Sequence, residues 1–244
     1  MPEGPSIVIL KEAILPFVGQ KVLNVRGNSK AGIERINGTV ITKIRSFGKQ
    51  LLITLDSDIT IRIHFMLYGS YSINERKDRI ERLGLDMEMG EINFYACSVR
   101  FLEGDISKMY DWKADVMNDK WSAAAVRKKL QNLKDELACD ALLNQDVFAG
   151  VGNIIKNEVL FRQKIQPESL IGNIPQRRLN AMIKDARDYS FQFKEWKKEF
   201  VLRKNWLVHT KKECPRCKIP IIRKQHLGKT KRRAFYCEKC QKLY

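Results

Sequence analysis

Acidic residues are scarce in this 244-residue chain, which carries 28 Asp plus Glu against 45 Lys plus Arg, a formal net charge of +17. That balance excludes a preference for cationic partners and favours polyanions, either nucleic acid or an anionic membrane surface. Nucleic acid is favoured because the excess is local. From Val201 to Tyr244 the only acids are Glu213 and Glu238, and the segment accounts for +12 of the charge. Long apolar runs are missing, so no membrane span is expected. The opening MPEGPSIVILKEAILPF lacks the basic region and apolar core of a secretory signal and carries Glu3 and Glu12 instead. A cytosolic, reducing compartment is therefore expected, and its six cysteines are thiols or metal ligands before they are disulfides. Repeats and low-complexity linkers are also absent.

What is present falls into three patterns within a composition that is 44% hydrophobic, enough to bury real cores. Residues 1–108 cluster β-branched and aromatic residues in KVLNV, TVITKI, QLLITL, ITIRIHF and EINFYACSVRF. Punctuated by Asn28, Gly38 and Gly69, they predict a β-sandwich or barrel preceded by one helix. Residues 109–206 have helical spacing, as in WSAAAVRKKLQNL and RRLNAMIKDARDYSFQFKEW. Residues 207–244 are short, basic and punctuated by cysteine, too small for a core without a staple. The fold class expected is α+β.

The staple is legible. Cys214, Cys217, Cys237 and Cys240 form two C-x2-C pairs separated by nineteen residues, the spacing of a four-thiolate zinc site. Four thiolates leave no open coordination position, so one Zn2+ is expected to hold a hairpin, turning near Gly228, and to do no chemistry. The hairpin presents KTKRR, Lys229 to Arg233, for phosphate. Cys97 and Cys139 stand alone and read as small core residues. In LLNQDVFAGVGNIIKNEVLF, Gly150, Gly152 and Asn153 separate two apolar helical stretches. The glycines permit a tight turn and a close backbone approach, and Asn153 could cap the next helix, whose N–H groups attract phosphate. An ordinary helix-helix turn fits the same residues.

Together MPEGP, LLNQDVFAGVGNIIKNE and the four-cysteine ending resemble the formamidopyrimidine-DNA glycosylase and endonuclease VIII family, in order and over nearly the whole chain. The resemblance implies an N-terminal β-sandwich, a helix-two-turns-helix domain around Asn153, a zinc finger, and DNA in the cleft between the lobes. It implies that Pro2, exposed as the N-terminus once Met1 is removed, is the nucleophile that forms an imine with sugar C1′. An α-amino group with a pKa of roughly 7.7–8.0 retains a neutral fraction near neutral pH. Glu3 becomes the acid that protonates the sugar ring oxygen. Lys49, in SFGKQLLITL, corresponds to a strand lysine that contacts the phosphate beside the lesion. Arg232 corresponds to the zinc-finger arginine of the second elimination, with Arg233 the rival if the hairpin slips by one residue. Asn153 and Lys156 join them as DNA contacts.

HFMLYG, His64 to Gly69, resembles the endonuclease VIII loop, which nominates Met66, Leu67 and Tyr68 as the wedge filling the gap left by a flipped nucleotide. A buried strand end fits the same residues. The oxidised-purine branch carries an Arg-Arg-Phe-Gly loop where this chain has VRFLEGD, Val99 to Asp105, matching only at Arg100 and Phe101. The segment KEWKKEFVLRKNWLVHT reads as helix end and strand, leaving little room for a loop that caps a flipped purine. Ser6 stands where close relatives carry glutamate. The expectation is a bifunctional glycosylase and abasic-site lyase, acting as a monomer on oxidised pyrimidines in damaged double-stranded DNA, in a bacterial cytoplasm at the nucleoid. The alternatives are an 8-oxoguanine glycosylase of the same family, a weakly catalytic lesion-binding protein, and a zinc-ribbon RNA-binding protein.

Overall fold

The computed structural model describes residues 2–244 as two compact units, one running up to Tyr110 and one from Asp111 to Tyr244. The basic cysteine segment, expected as a third region, shares the second unit with the helices.

The first unit opens with α1 (Gly4–Ile14), begun by Pro5, whose missing N–H costs nothing in a first helical turn. Its apolar face, Ile7, Leu10 and Ile14, packs with Phe17 onto a six-stranded antiparallel sheet. The strands are β1 (Asn24–Arg26), β2 (Ile41–Phe47), β3 (Gln50–Leu55), β4 (Ile59–Ile73), β5 (Leu83–Met87) and β6 (Gly90–Glu103), in spatial order β1-β5-β6-β4-β3-β2. The expected sandwich is thus hydrogen-bonded as one sheet with a helix upon it. Residues 51, 53, 61, 63, 92 and 94 fill its core, all fully buried, as β-branched and aromatic alternation requires. The long pair β4 and β6 is interrupted once, between the partners Phe65↔Cys97 and Ser70↔Tyr95. Four residues, 66–69, there face Ala96 alone, whose φ of 47° marks the bend. Gly69 is required at this bulge, because a Cβ would stand 2.7 Å from Phe65 Cβ and 2.8 Å from the Ala96 carbonyl oxygen.

A four-residue α2 (Ile106–Met109) ends the first unit, and the second contains α3 (Ala123–Gln131), α4 (Ala138–Leu143), α5 (Asn153–Arg162) and α6 (Gln176–Lys198). The amphipathic α6 buries Leu179, Met182, Ile183, Ala186, Tyr189 and Phe193 at three- and four-residue steps. Arg162 at the end of α5 grips Asp185 of α6 through three hydrogen bonds of 2.8–3.1 Å. The hairpin β7 (Ile222–Leu227) and β8 (Arg232–Tyr236) closes the chain. All four tryptophans, 112, 121, 196 and 206, belong to this unit. After Lys198 the chain runs through turns to the first cysteine pair, where a strand was expected, and Phe200 there is 96% exposed. No helix among the described residues is long and apolar enough to cross a membrane.

Candidate nucleic-acid interface and metal centre

The first unit presents the N-terminal pair and the bulge. Pro2 is half-buried and precedes α1, and Glu3 is the N-cap, only 3% exposed. The Glu3 carbonyl accepts from Ser6 N–H at 2.8 Å, so Ser6 closes the first turn. Met1, whose removal the amine chemistry requires, lies outside the described residues. The helix packs on β2 and β3, and Lys49 sits in the two-residue turn joining them, after Gly48 at φ 53°. Lys49 is therefore on a turn and not within a strand, because the β2 to β3 pairing ends at Phe47↔Gln50. His64, quoted with its motif but assigned no role, reaches back across β3: its Nδ1 lies 3.2 Å from the Lys49 carbonyl oxygen. Burial, with Arg62 and Lys49 nearby, holds its pKa below the ordinary histidine value. From the bulge Met66, Leu67 and Tyr68 project 60%, 58% and 80% exposed, so they are not a buried strand end. By contrast Val99 to Glu103 lie inside β6, with Arg100 opposite Arg62 and Phe101 opposite Ile61, and form no loop.

The second unit presents the glycine turn and the hairpin. Gly152, with no side chain, occupies the N-cap of α5, and Asn153 is the first helical residue. Asn153 thus caps nothing, and its Oδ1 accepts a 2.9 Å hydrogen bond from Lys156 Nζ. Gln145 braces the turn, accepting from Gly150 N–H and donating to the carbonyls of Leu143 and Val151.

Helix α5 is buried without a break from Ile155 to Phe161, so its three polar residues each need a partner. Lys156, expected at the DNA surface, is 1% exposed and also donates to the Arg233 carbonyl at 2.9 Å. Asn157 Oδ1 accepts from Phe235 N–H, while its Nδ2 donates to the Asn153 carbonyl and meets His209 Nδ1 at 3.0 Å. Glu158 accepts from the backbone N–H groups of Leu207, Val208 and His209 at 2.8–3.0 Å, and burial raises its pKa. Below them Asp140 of α4 receives Lys229 N–H, Thr230 N–H and the Thr230 hydroxyl. The polar run KNE inside an otherwise apolar helix was the signal that sequence reasoning passed over.

The four cysteines, 214, 217, 237 and 240, offer sulfurs within 4.8 Å of one another, Cys214 and Cys237 fully buried. Tetrahedral Zn–S bonds of about 2.3 Å need sulfurs about 3.8 Å apart, and Cys214 Sγ to Cys240 Sγ is 3.9 Å. Cys217 N–H points at Cys214 Sγ at 3.4 Å, a donor suited to a thiolate. Cys97 and Cys139 are buried, each thiol pushed up to about 12 by desolvation. Of the basic run, Lys229 is ion-paired with Glu136, whereas Arg232 and Arg233 start β8 exposed and on opposite faces.

Two family models match the chain: the formamidopyrimidine-DNA glycosylase N-terminal domain over residues 1–102 and its H2TH domain over residues 114–189. A mouse protein named Endonuclease 8-like 3 is 28% identical over 231 residues, covering 90% of this chain and 38% of its own length, so the chain spans well under half of that relative. The formamidopyrimidine-DNA glycosylase of Carboxydothermus hydrogenoformans is 24% identical over 269 residues, covering 99% of this chain and all of its own. Among solved structures, a viral DNA glycosylase superposes with a TM-score of 0.84 at 21% identity, covering 98% of this chain and 100% of the other. The Lactococcus lactis enzyme bound to abasic-site DNA superposes with a TM-score of 0.86 at 19% identity, covering 98% and 99%. These structural likenesses establish the fold, and with both domain models matched in order, the chain belongs to the formamidopyrimidine-DNA glycosylase and endonuclease VIII family.

Proposed function

We propose that the chain is a bifunctional DNA glycosylase and abasic-site lyase acting on oxidised bases in double-stranded DNA. The observation that carries the reading is the pair at the start of α1, Pro2, whose nitrogen becomes a secondary amine once Met1 is removed, followed by a carboxyl at Glu3 held almost out of water. Glu3 gives a proton to the sugar ring oxygen, the ring opens, and the Pro2 nitrogen bonds to C1′ as the damaged base leaves. Loss of a C2′ proton from the iminium then breaks the 3′ C–O bond, and a second elimination breaks the 5′ one. Hydrolysis of the imine returns the amine. Lys49, Asn153 and Arg232 hold backbone phosphates, with Arg232 assisting the second elimination. Lys156 serves by fixing Asn153. One Zn2+ on Cys214, Cys217, Cys237 and Cys240 shapes the hairpin and takes no part in the chemistry.

Oxidised pyrimidines are favoured over 8-oxoguanine. Arg100 and Phe101 are committed to a paired strand, the segment after α6 is short, and Met66, Leu67 and Tyr68 stand ready to fill a vacated stack. Borohydride trapping on a panel of oligonucleotides carrying thymine glycol, dihydrouracil, 8-oxoguanine or an abasic site tests the reading. Covalent capture that disappears in Pro2→Gly, with Glu3→Gln impaired on intact lesions more than on abasic sites, is the expected result. Binding without capture identifies a lesion-binding protein, and faster excision of 8-oxoguanine moves the chain to the purine branch.

A further inference from the structure

Arg232 and Arg233 are neighbours on β8 and therefore face opposite ways. On the Arg232 face lie Ala234 and Tyr236, opposite Lys224 and Ile222. On the other face Arg233 joins Phe235, paired directly with Arg223, and these three together with Thr210, Lys211 and Lys212 line a pocket of about 360 Å3. Four cations line it and no carboxylate does. Among the described residues, Lys211, Lys212, Arg223 and Arg233 form no ion pair, whereas Lys224 and Lys229 on the same hairpin are paired with Glu168 and Glu136.

The pocket is also built. Arg223 lies over the Phe235 ring at 5.9 Å, and its Nε and Nη2 each stand 3.2 Å from the side-chain oxygen of Gln225 in that amide's better orientation. Phe235 is itself backed by the His209 ring at 5.2 Å. Lys156 fixes the Arg233 carbonyl, and Glu158 fixes the backbone that leads into Thr210. Thr210, a β-branched residue, is held at φ 60°, a conformation seldom adopted without a local reason.

We propose that this pocket is a second phosphate-binding site, on the face of the hairpin away from Arg232, whose occupant is a nucleic-acid backbone phosphate beyond those flanking the excised nucleotide. Four unpaired cations around an opening of this size match a phosphate diester and its hydration, and the aromatic floor confers no base selectivity. The site rests on the DNA-binding reading and deepens it, by giving the zinc hairpin two separate grips on the backbone.

The test is the salt dependence of duplex binding by the full zinc-loaded chain. Each phosphate contact contributes about 0.9 to the slope of log K against log salt. Arg223→Gln combined with Lys212→Gln is expected to make the slope shallower by about 0.9 at unchanged zinc content, while Arg223→Lys restores it. An unchanged slope in the double variant with zinc bound overturns the proposal. Titration with inorganic phosphate separates the two sources of the anion. If the Thr210 and Lys211 amide resonances move with phosphate but the DNA slope is unaltered by the variant, the pocket takes a soluble phosphate and the DNA assignment falls. Loss of borohydride trapping in wild-type protein would instead overturn the lyase reading, with the slope difference at Arg223 still standing.

Discussion

His209 shows how a single side chain ties stability to pH. Its ring is wedged edge-on between Trp206 and Phe235, and desolvation, with the charges of Lys156 and Arg233, lowers its pKa from 6.5 to about 4. Between those values the unfolded chain binds a proton that the folded chain refuses, so stability falls as pH drops through the window and levels off below it. At pH 5 the loss is about 2 kcal/mol. Urea midpoints followed by tryptophan fluorescence at pH 7.5 and pH 5 are expected to separate in the wild type and to converge in His209→Gln. Equal separation in both proteins would remove His209 from the account. Lys156 illustrates the limit of reading residues singly. Its position in the turn motif suggested a DNA contact, yet the ammonium is consumed inside the protein by Asn153 and the Arg233 carbonyl.

At the level of elements, the bulge in β4 converts a strand into a platform. Leu67→Ala is expected to slow excision from duplex DNA roughly tenfold, about 1.4 kcal/mol of barrier, while the same lesion in single-stranded DNA, with no stack to refill, is released within about twofold of the wild-type rate. Single-turnover rates decide it, and equal losses on both substrates would assign Leu67 to general binding. Gly69→Ala should lower stability as well, since its Cβ collides with Phe65 and the Ala96 carbonyl. The elements themselves were largely legible. Alternating β-branched runs gave the sheet, three- and four-residue apolar steps gave α6, and cysteine spacing gave the hairpin. The bulge was legible only through the resemblance of HFMLYG to a loop, because FML by itself reads as apolar and the pairing across to Ala96 is what shows that it interrupts the strand. The Gly152 cap was missed for a related reason: Asn153 is the better capping residue by chemistry, but the chain enters the helix one residue earlier. The inward-facing roles of Lys156 to Glu158 were not legible because, beyond the local bonds to Asn153, their partners lie 49 to 78 positions away.

Across the whole molecule, the excess positive charge and the four-cysteine cluster fall on the same segment. Residues 201–244 hold +12 of the +17, and a hairpin with so little core depends on its cysteines to keep those charges in a fixed array. Chelation of the metal is therefore expected to weaken DNA binding and flatten its salt dependence, and added Zn2+ to restore both. Cys237→Ser should lower metal content and affinity together. Zinc-free protein that binds DNA with full affinity and slope would show that the array survives without the metal. The anchors from α4 and α5 have a further consequence for recombination between relatives. Asp140, Lys156 and Asn157 hold the hairpin largely by its backbone, and Glu158 holds the Leu207 to His209 segment that leads to it, so the attachment constrains these anchors more than the side chains they grip. A chimaera that imports only residues 207–244 from another member of the family inherits sockets cut for a different plug, whereas one exchanged from α4 onward carries its own fittings along.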